Sequence, residues 1–183
     1  LPDSDAGVWL RYEGELANLL KLLQAHRQTE AQGELAKRVA VAAARGDIPG
    51  ATPTLHPVDI EIDNDSSERY TILRIEAPDT IGFLYELTNA LALNGIHIAQ
   101  VAVASQGNRV HDTLSITDAQ GRKIVARDRQ RELRAATVLV KHFTHLLPYS
   151  PNPEAALQHF HEYLGQLFRN PRWPDELASL ERP

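Results

Sequence analysis

Residues 70–124 constrain this chain more than any other stretch. Tyr70-Thr71-Ile72-Leu73-Arg74-Ile75-Glu76 reads as a strand, and Pro78-Asp79 stops it. Asp79-Thr80-Ile81-Gly82 leads into an apolar helix whose face is Ile81, Leu84, Leu87, Thr88 and Leu91, and Asn94-Gly95 ends it in a left-handed cap. Two strand-like runs follow, Ile96–Ser105 and Val110–Thr117, split at Gln106-Gly107-Asn108-Arg109 and closed by Asp118-Ala119-Gln120-Gly121. The pattern slips near Ile98–Val101, which predicts a bulge. In the second run Val110, Asp112, Leu114 and Ile116 alternate with His111, Thr113, Ser115 and Thr117, the latter set facing solvent or a partner. Strand, glycine-bearing loop, helix and hairpin together specify an α+β unit.

The flanks serve this unit. Val58-Asp59-Ile60-Glu61-Ile62-Asp63 alternates strictly, and Asn64-Asp65-Ser66-Ser67 turns it back, so it pairs antiparallel with Tyr70–Glu76. Before it, Gly46–Pro57 carries Pro49, Gly50, Pro53 and Pro57 and is a linker. Residues 1–45 predict a helical hairpin. Ser4-Asp5 cap its first helix, whose apolar face includes Trp9, Tyr12, Leu16, Leu19, Leu20 and Leu23. His26–Thr29 interrupt the pattern, and a second helix spans Ala31–Arg45. So thin a pair needs another surface to pack on. After the unit, Asp128 is placed as the cap of a long helix whose core face is Leu133, Ala136, Thr137, Val140, Phe143 and Leu147, stopped by Pro148. Asn152-Pro153 opens another helix and Trp173–Leu177 a further short one. The expected divisions are a hairpin at 1–45, a linker at 46–57, a central domain at 58–147 and a helical segment at 150–183 leading to a domain not present.

Composition narrows the function. The formal charge of −5 gives no electrostatic reason to expect nucleic acid or an anionic membrane as partner. No apolar run approaches the roughly 18 residues of a spanning helix. Cysteine is absent, which removes disulfides, thiolate metal sites and a cysteine nucleophile and fits a reducing, cytoplasmic compartment. Methionine is absent even at the start, so the chain is read as a piece of a longer or trimmed polypeptide. There is no phosphate-binding glycine loop, no nucleophile elbow, and no Gly-Ser followed by an Asp-x-Asp metal pair. Asp63 and Asp65 belong to a turn. His142 and His145 share a helix face at metal-compatible spacing but lack a third ligand. The basic run Arg122–Arg134 is interrupted by Asp128 and Glu132, as on a solvated helix face. No catalytic residue, metal or cofactor is expected.

Several of these residues together resemble an ACT domain, the regulatory module with a ferredoxin-like fold, and within that family the ACT domains of bacterial nitrogen-signalling nucleotidyltransferases, the PII uridylyltransferase and glutamine synthetase adenylyltransferase. They are Asp63-Asn64-Asp65-Ser66, Tyr70-Thr71-Ile72, Asp79 with Gly82-Phe83-Leu84-Tyr85, Leu87-Thr88, Ala90-Leu91, Asp112, and Thr117-Asp118 with Gly121-Arg122-Lys123-Ile124. The loop departs from the family's Asp-Arg-Pro-Gly by carrying Thr80-Ile81, and His97 stands where asparagine is usual. The ordinary final strand is missing after the long helix, so Val58–Asp63 is expected to take its place. The implied fold is a permuted, four-stranded antiparallel sheet with helices on one face, flanked by helical segments.

The resemblance implies a regulatory rather than catalytic chain: an amino-acid sensor, with glutamine the expected effector, acting on a catalytic domain of the same longer protein and pairing with a second ACT domain or protomer. An amino-acid effector carries a carboxylate, which suits the unpaired N–H groups of a helix start, and an ammonium, which suits a nearby acid. Asp79, Thr80, Ile81, Gly82 and Phe83 offer both, with Asp79 placed as the helix cap, and His97 is a candidate donor to the effector side chain. Two alternatives stay open. The unit is a ligand-free docking or dimerisation module in which Asp79 only caps and Gly82 only packs, or it draws chemistry from Asp79, His97 and Asp112, for which the spacing offers no support.

Overall fold

In the computed structural model, residues 4–45, 58–106 and 109–170 are described. Four strands form one antiparallel sheet: β1 (Asp59–Asp63), β2 (Thr71–Pro78), β3 (Ile96–Gln106) and β4 (Arg109–Asp118), in spatial order β1-β2-β4-β3. The strand preceding Tyr70 does take the free side of β2, from Asp59 opposite Glu76 to Asp63 opposite Ile72. The expected bulge in β3 lies between Ile98 and Gln100.

Alternation along the strands decides which face is covered. Thr71, Leu73, Ile75 and Ala77 of β2 and Val110, Asp112, Leu114 and Ile116 of β4 are buried. They face α3 (Phe83–Leu93) and α4 (Arg127–Leu146). The opposite face is charged: Arg109 Nε donates to Glu76 at 2.9 Å and Arg74 pairs with Asp63 at 3.0 Å. A 3-10 turn, Leu147–Tyr149, follows α4, and Asn152 then caps α5 (Pro153–Leu167) by accepting from the Ala155 N–H at 3.1 Å. Phe160 of α5 stacks on Phe143 with ring centroids 3.7 Å apart. The fully buried carboxylate of Glu86 on α3 meets His161 Nε2 of α5 at 2.8 Å.

The β1–β2 turn is tied to the connection that launches α4. Thr71 Oγ1, with no exposure, donates to Asn64 Oδ1 at 2.7 Å and accepts from the Ile124 N–H at 2.8 Å. Asn64 Nδ2 donates to the Ile124 carbonyl at 3.1 Å. Asp128 is not the cap of α4; Ala126 occupies that position with no side-chain bond, and Asp128 lies within the first turn.

The N-terminal segment is a helix pair, α1 (Ser4–Gln24) and α2 (Gln28–Arg45), broken at His26, whose φ is +57°. Leu16, Leu20 and Leu23 of α1 are exposed. The pair attaches through α2, where Val39 and Ala40 join Ile81, Leu147, Ala156 and Leu157 in a second apolar cluster. The linker over 46–57 and the helix expected near Trp173 lie outside the described residues.

Candidate functional site

The corner where β2 hands over to α3 differs from the sequence expectation in one respect. Asp79 does not cap α3. The helix starts at Phe83, and the capping position is Gly82, at φ +81°, with no side-chain bond. Thr80 instead closes the turn, its carbonyl accepting from the Phe83 N–H at 3.3 Å. Asp79 is exposed, Thr80, Ile81 and Gly82 are half-buried, and Phe83 is buried. Only glycine fits at 82 for two reasons. Its backbone is left-handed, and an added Cβ would lie 2.5 Å from Val39 Cγ1 of α2. The space beside the Gly82 Cα is therefore taken by Val39 of α2.

Beneath this corner sits a polar cluster. Lys141 of α4 is 3% exposed. Its ammonium donates to Thr80 Oγ1 at 2.9 Å and lies 4.2 Å from the centroid of the Phe83 ring, a cation–π contact. Thr80 Oγ1 is also 3.2 Å from Thr144 Oγ1, whose other partners are the Val140 and Lys141 carbonyls. Burial pushes the Lys141 ammonium down to about 8, while the charges of Asp79 and Asp112 act against that shift. Asp112 of β4 is 2% exposed, and its Oδ1 has no hydrogen-bond partner. Burial raises its carboxyl above the ordinary range, the Asp79 charge adds to the rise, and Lys141 opposes it. Pro78, Thr80, Lys141, His142 and His145 line a crevice of about 10 Å³ there, room for a single water.

Five of the six predicted residues, Asp79 to Phe83, thus share one corner, because they are consecutive. His97 does not join them. It is exposed and pairs with Thr117, whereas the corner adjoins Pro78 opposite Arg109. Those two positions of β4 are separated by about 27 Å at a strand rise of ~3.4 Å per residue. Sequence reasoning missed Lys141 and Thr144. Their signal was available: at steps of four and three from Thr137 they continue the buried face of α4. Among the described residues no group of three or more His, Cys, Asp or Glu could hold a metal ion, and no helix is long and apolar enough to cross a membrane.

Residues 59–146 match the family model described as ACR9-like, ACT-like domain. The bifunctional uridylyltransferase/uridylyl-removing enzyme of Rhodopseudomonas palustris is 28% identical over 152 residues, covering 73% of this chain and 16% of that protein. The protein of the same name from Bradyrhizobium diazoefficiens is 28% identical over 147 residues, 72% of this chain and 16% of its own length. That of Cereibacter sphaeroides is 39% identical over 77 residues, 42% of this chain and 8% of its own length. The chain therefore spans about a sixth of the first two relatives. No solved structure matches.

Proposed function

Residues 59–146 are an ACT-like domain, and from that premise we propose that the chain is the amino-acid-sensing regulatory part of a longer nitrogen-regulation nucleotidyltransferase, with glutamine as effector. The observation that carries this reading is charge at the corner. Lys141 is held against Thr80 with Asp79 and the buried Asp112 near enough to act on it, so an acid and a base converge where α3 begins with no side-chain cap. A zwitterion suits such a place, its carboxylate toward Lys141 and the helix start, its ammonium toward an acid. The catalytic domain lies in polypeptide outside this chain, and the relatives' name favours uridylyl over adenylyl transfer. Effector binding acts by differential affinity for two arrangements of the module. Pairing with a second ACT domain or protomer is supported by β3, an edge strand with Val101 and Val103 exposed at 41% and 54%.

Calorimetric titration of the chain with glutamine tests the reading, repeated with Asp79→Ala. Saturable binding weakened about tenfold or more by the substitution is expected. Binding untouched by it removes Asp79 from the site.

A second reading has its own observation. Val39 fills the space above Gly82, as it would if the loop served only to dock helices. In that case the module joins domains without a ligand, and a panel of free amino acids leaves its melting temperature unchanged.

A further inference from the structure

The N-terminal helix carries an apolar stripe that is left open to solvent. α1 packs on α2, with Glu15 meeting Arg38 at 3.3 Å and Leu19 buried. Leu16, Leu20 and Leu23 lie on another face, since Leu20 is one residue on from Leu19 and so about 100° round the helix. They are 43%, 49% and 47% exposed. One exposed leucine is ordinary, but three at steps of four and three make a continuous seam of the kind helices use to pair. The same spacing continues at both ends. Glu13 stands three residues before Leu16 and Arg27 four after Leu23, so an acid, three leucines and a base occupy positions 13, 16, 20, 23 and 27. α1 ends at Gln24, yet the Arg27 N–H donates to the Leu22 carbonyl at 2.9 Å, which holds Arg27 against the last turn. Glu13 is exposed, and no ion pair joins it to another described residue. The Arg27 guanidinium holds Glu30 through Nε and Nη2, which leaves Nη1 for a second carboxylate.

The placement of the two charges selects the occupant of the seam. Glu13 and Arg27 are each seven residues from Leu20, one on either side. An antiparallel copy of the helix therefore complements its own sequence. Leu20 falls on the twofold axis, Leu16 meets the partner's Leu23, and Glu13 meets the partner's Arg27 at both ends. A parallel copy would set acid on acid and base on base. We infer that two copies of this chain associate through α1, antiparallel, the two α1–α2 hairpins forming a four-helix arrangement. The seam lies outside residues 59–146 and does not use the edge strand β3, so it is a separate route to self-association and does not depend on the sensor reading.

The test uses the full 183-residue chain. Sedimentation equilibrium is expected to show a dimer whose dissociation constant rises about tenfold or more in Leu20→Glu, which sets two carboxylates face to face on the axis. Val103→Glu on β3 leaves that dimer in place. A chain that stays monomeric up to millimolar concentration overturns the inference, as does a dimer that survives Leu20→Glu. Association lost in Val103→Glu and kept in Leu20→Glu assigns pairing to the sheet edge instead. The chain has no cysteine, so single cysteines report the geometry without removing the seam. A bismaleimide shorter than about 10 Å should capture Leu20→Cys as a dimer but not Glu13→Cys, whose two copies stand about 21 Å apart at ~1.5 Å per residue. Self-linking of Glu13→Cys as efficient as that of Leu20→Cys refutes the antiparallel arrangement. Glu13→Arg and Arg27→Glu should each weaken self-association, and mixing the two variants should restore it as a heterodimer. A mixture no tighter than its components refutes the charge pairing that selected a second copy.

Discussion

Gly82→Ala is the sharpest probe of how the corner is built. Two costs arise separately. Alanine in left-handed backbone, here φ +81°, costs about 1–2 kcal/mol. Its Cβ would also stand 2.5 Å from Val39 Cγ1, an overpacking that costs about 1–3 kcal/mol when neighbours must shift. The expected loss is about 2–5 kcal/mol, unless α2 lifts off first, in which case the second part is capped by whatever holds α2 in place. Urea unfolding by circular dichroism gives the total, and hydrogen exchange across residues 34–45 reports whether α2 stays seated. Val39→Ala supplies the partner for a double-mutant cycle. Alone it removes part of a half-buried side chain and costs about 1 kcal/mol. In the Gly82→Ala background it relieves the overlap, so a coupling of about 1–3 kcal/mol is expected. Strict additivity, within about 0.5 kcal/mol, would show that α2 does not rest on Gly82 and would refute this account of the corner.

Two further predictions concern the buried polar groups. Thr71→Val keeps shape but strands the Ile124 N–H and Asn64 Oδ1, so thermal unfolding should show a loss of about 2–4 kcal/mol with secondary structure retained. Lys141 is charged in the unfolded chain up to its ordinary value of 10.5 but only to about 8 when folded. Between those values the unfolded state binds the extra proton, so this group makes the chain gain stability as pH rises from about 8 toward 10.5. Lys141→Met should flatten that rise in denaturant titrations at successive pH values and should stabilise the chain at neutral pH. A steeper rise in the variant would contradict the burial argument.

What residues 58–147 would form was legible because each local signal agreed with its neighbours. Alternation at Val58–Asp63, the Asn64–Ser67 turn and the slip near Ile98 depend on period and turn chemistry, which act over a few residues, and the sheet followed from them. The places where sequence reasoning missed are places where distant segments meet. Asp79 looks like a cap because acids precede helices, yet the chain there needed a left-handed residue to turn, and the cap passed to Gly82. His97 was joined to the corner by resemblance, and strand geometry puts it at the other end of the sheet.

The sequence by itself determined the strands, the helices, the strand that substitutes for a missing partner, and the consecutive residues of the corner, since periodicity and turn propensity are encoded locally. Only the tertiary structure decided that Val39 closes over Gly82, that Lys141 from the far end of α4 reaches Thr80, and that Asp112 is left with an unanswered oxygen. Those are outcomes of packing between segments some 30–60 residues apart. Burial, which sets the cost of each charge, exists only once the segments have met.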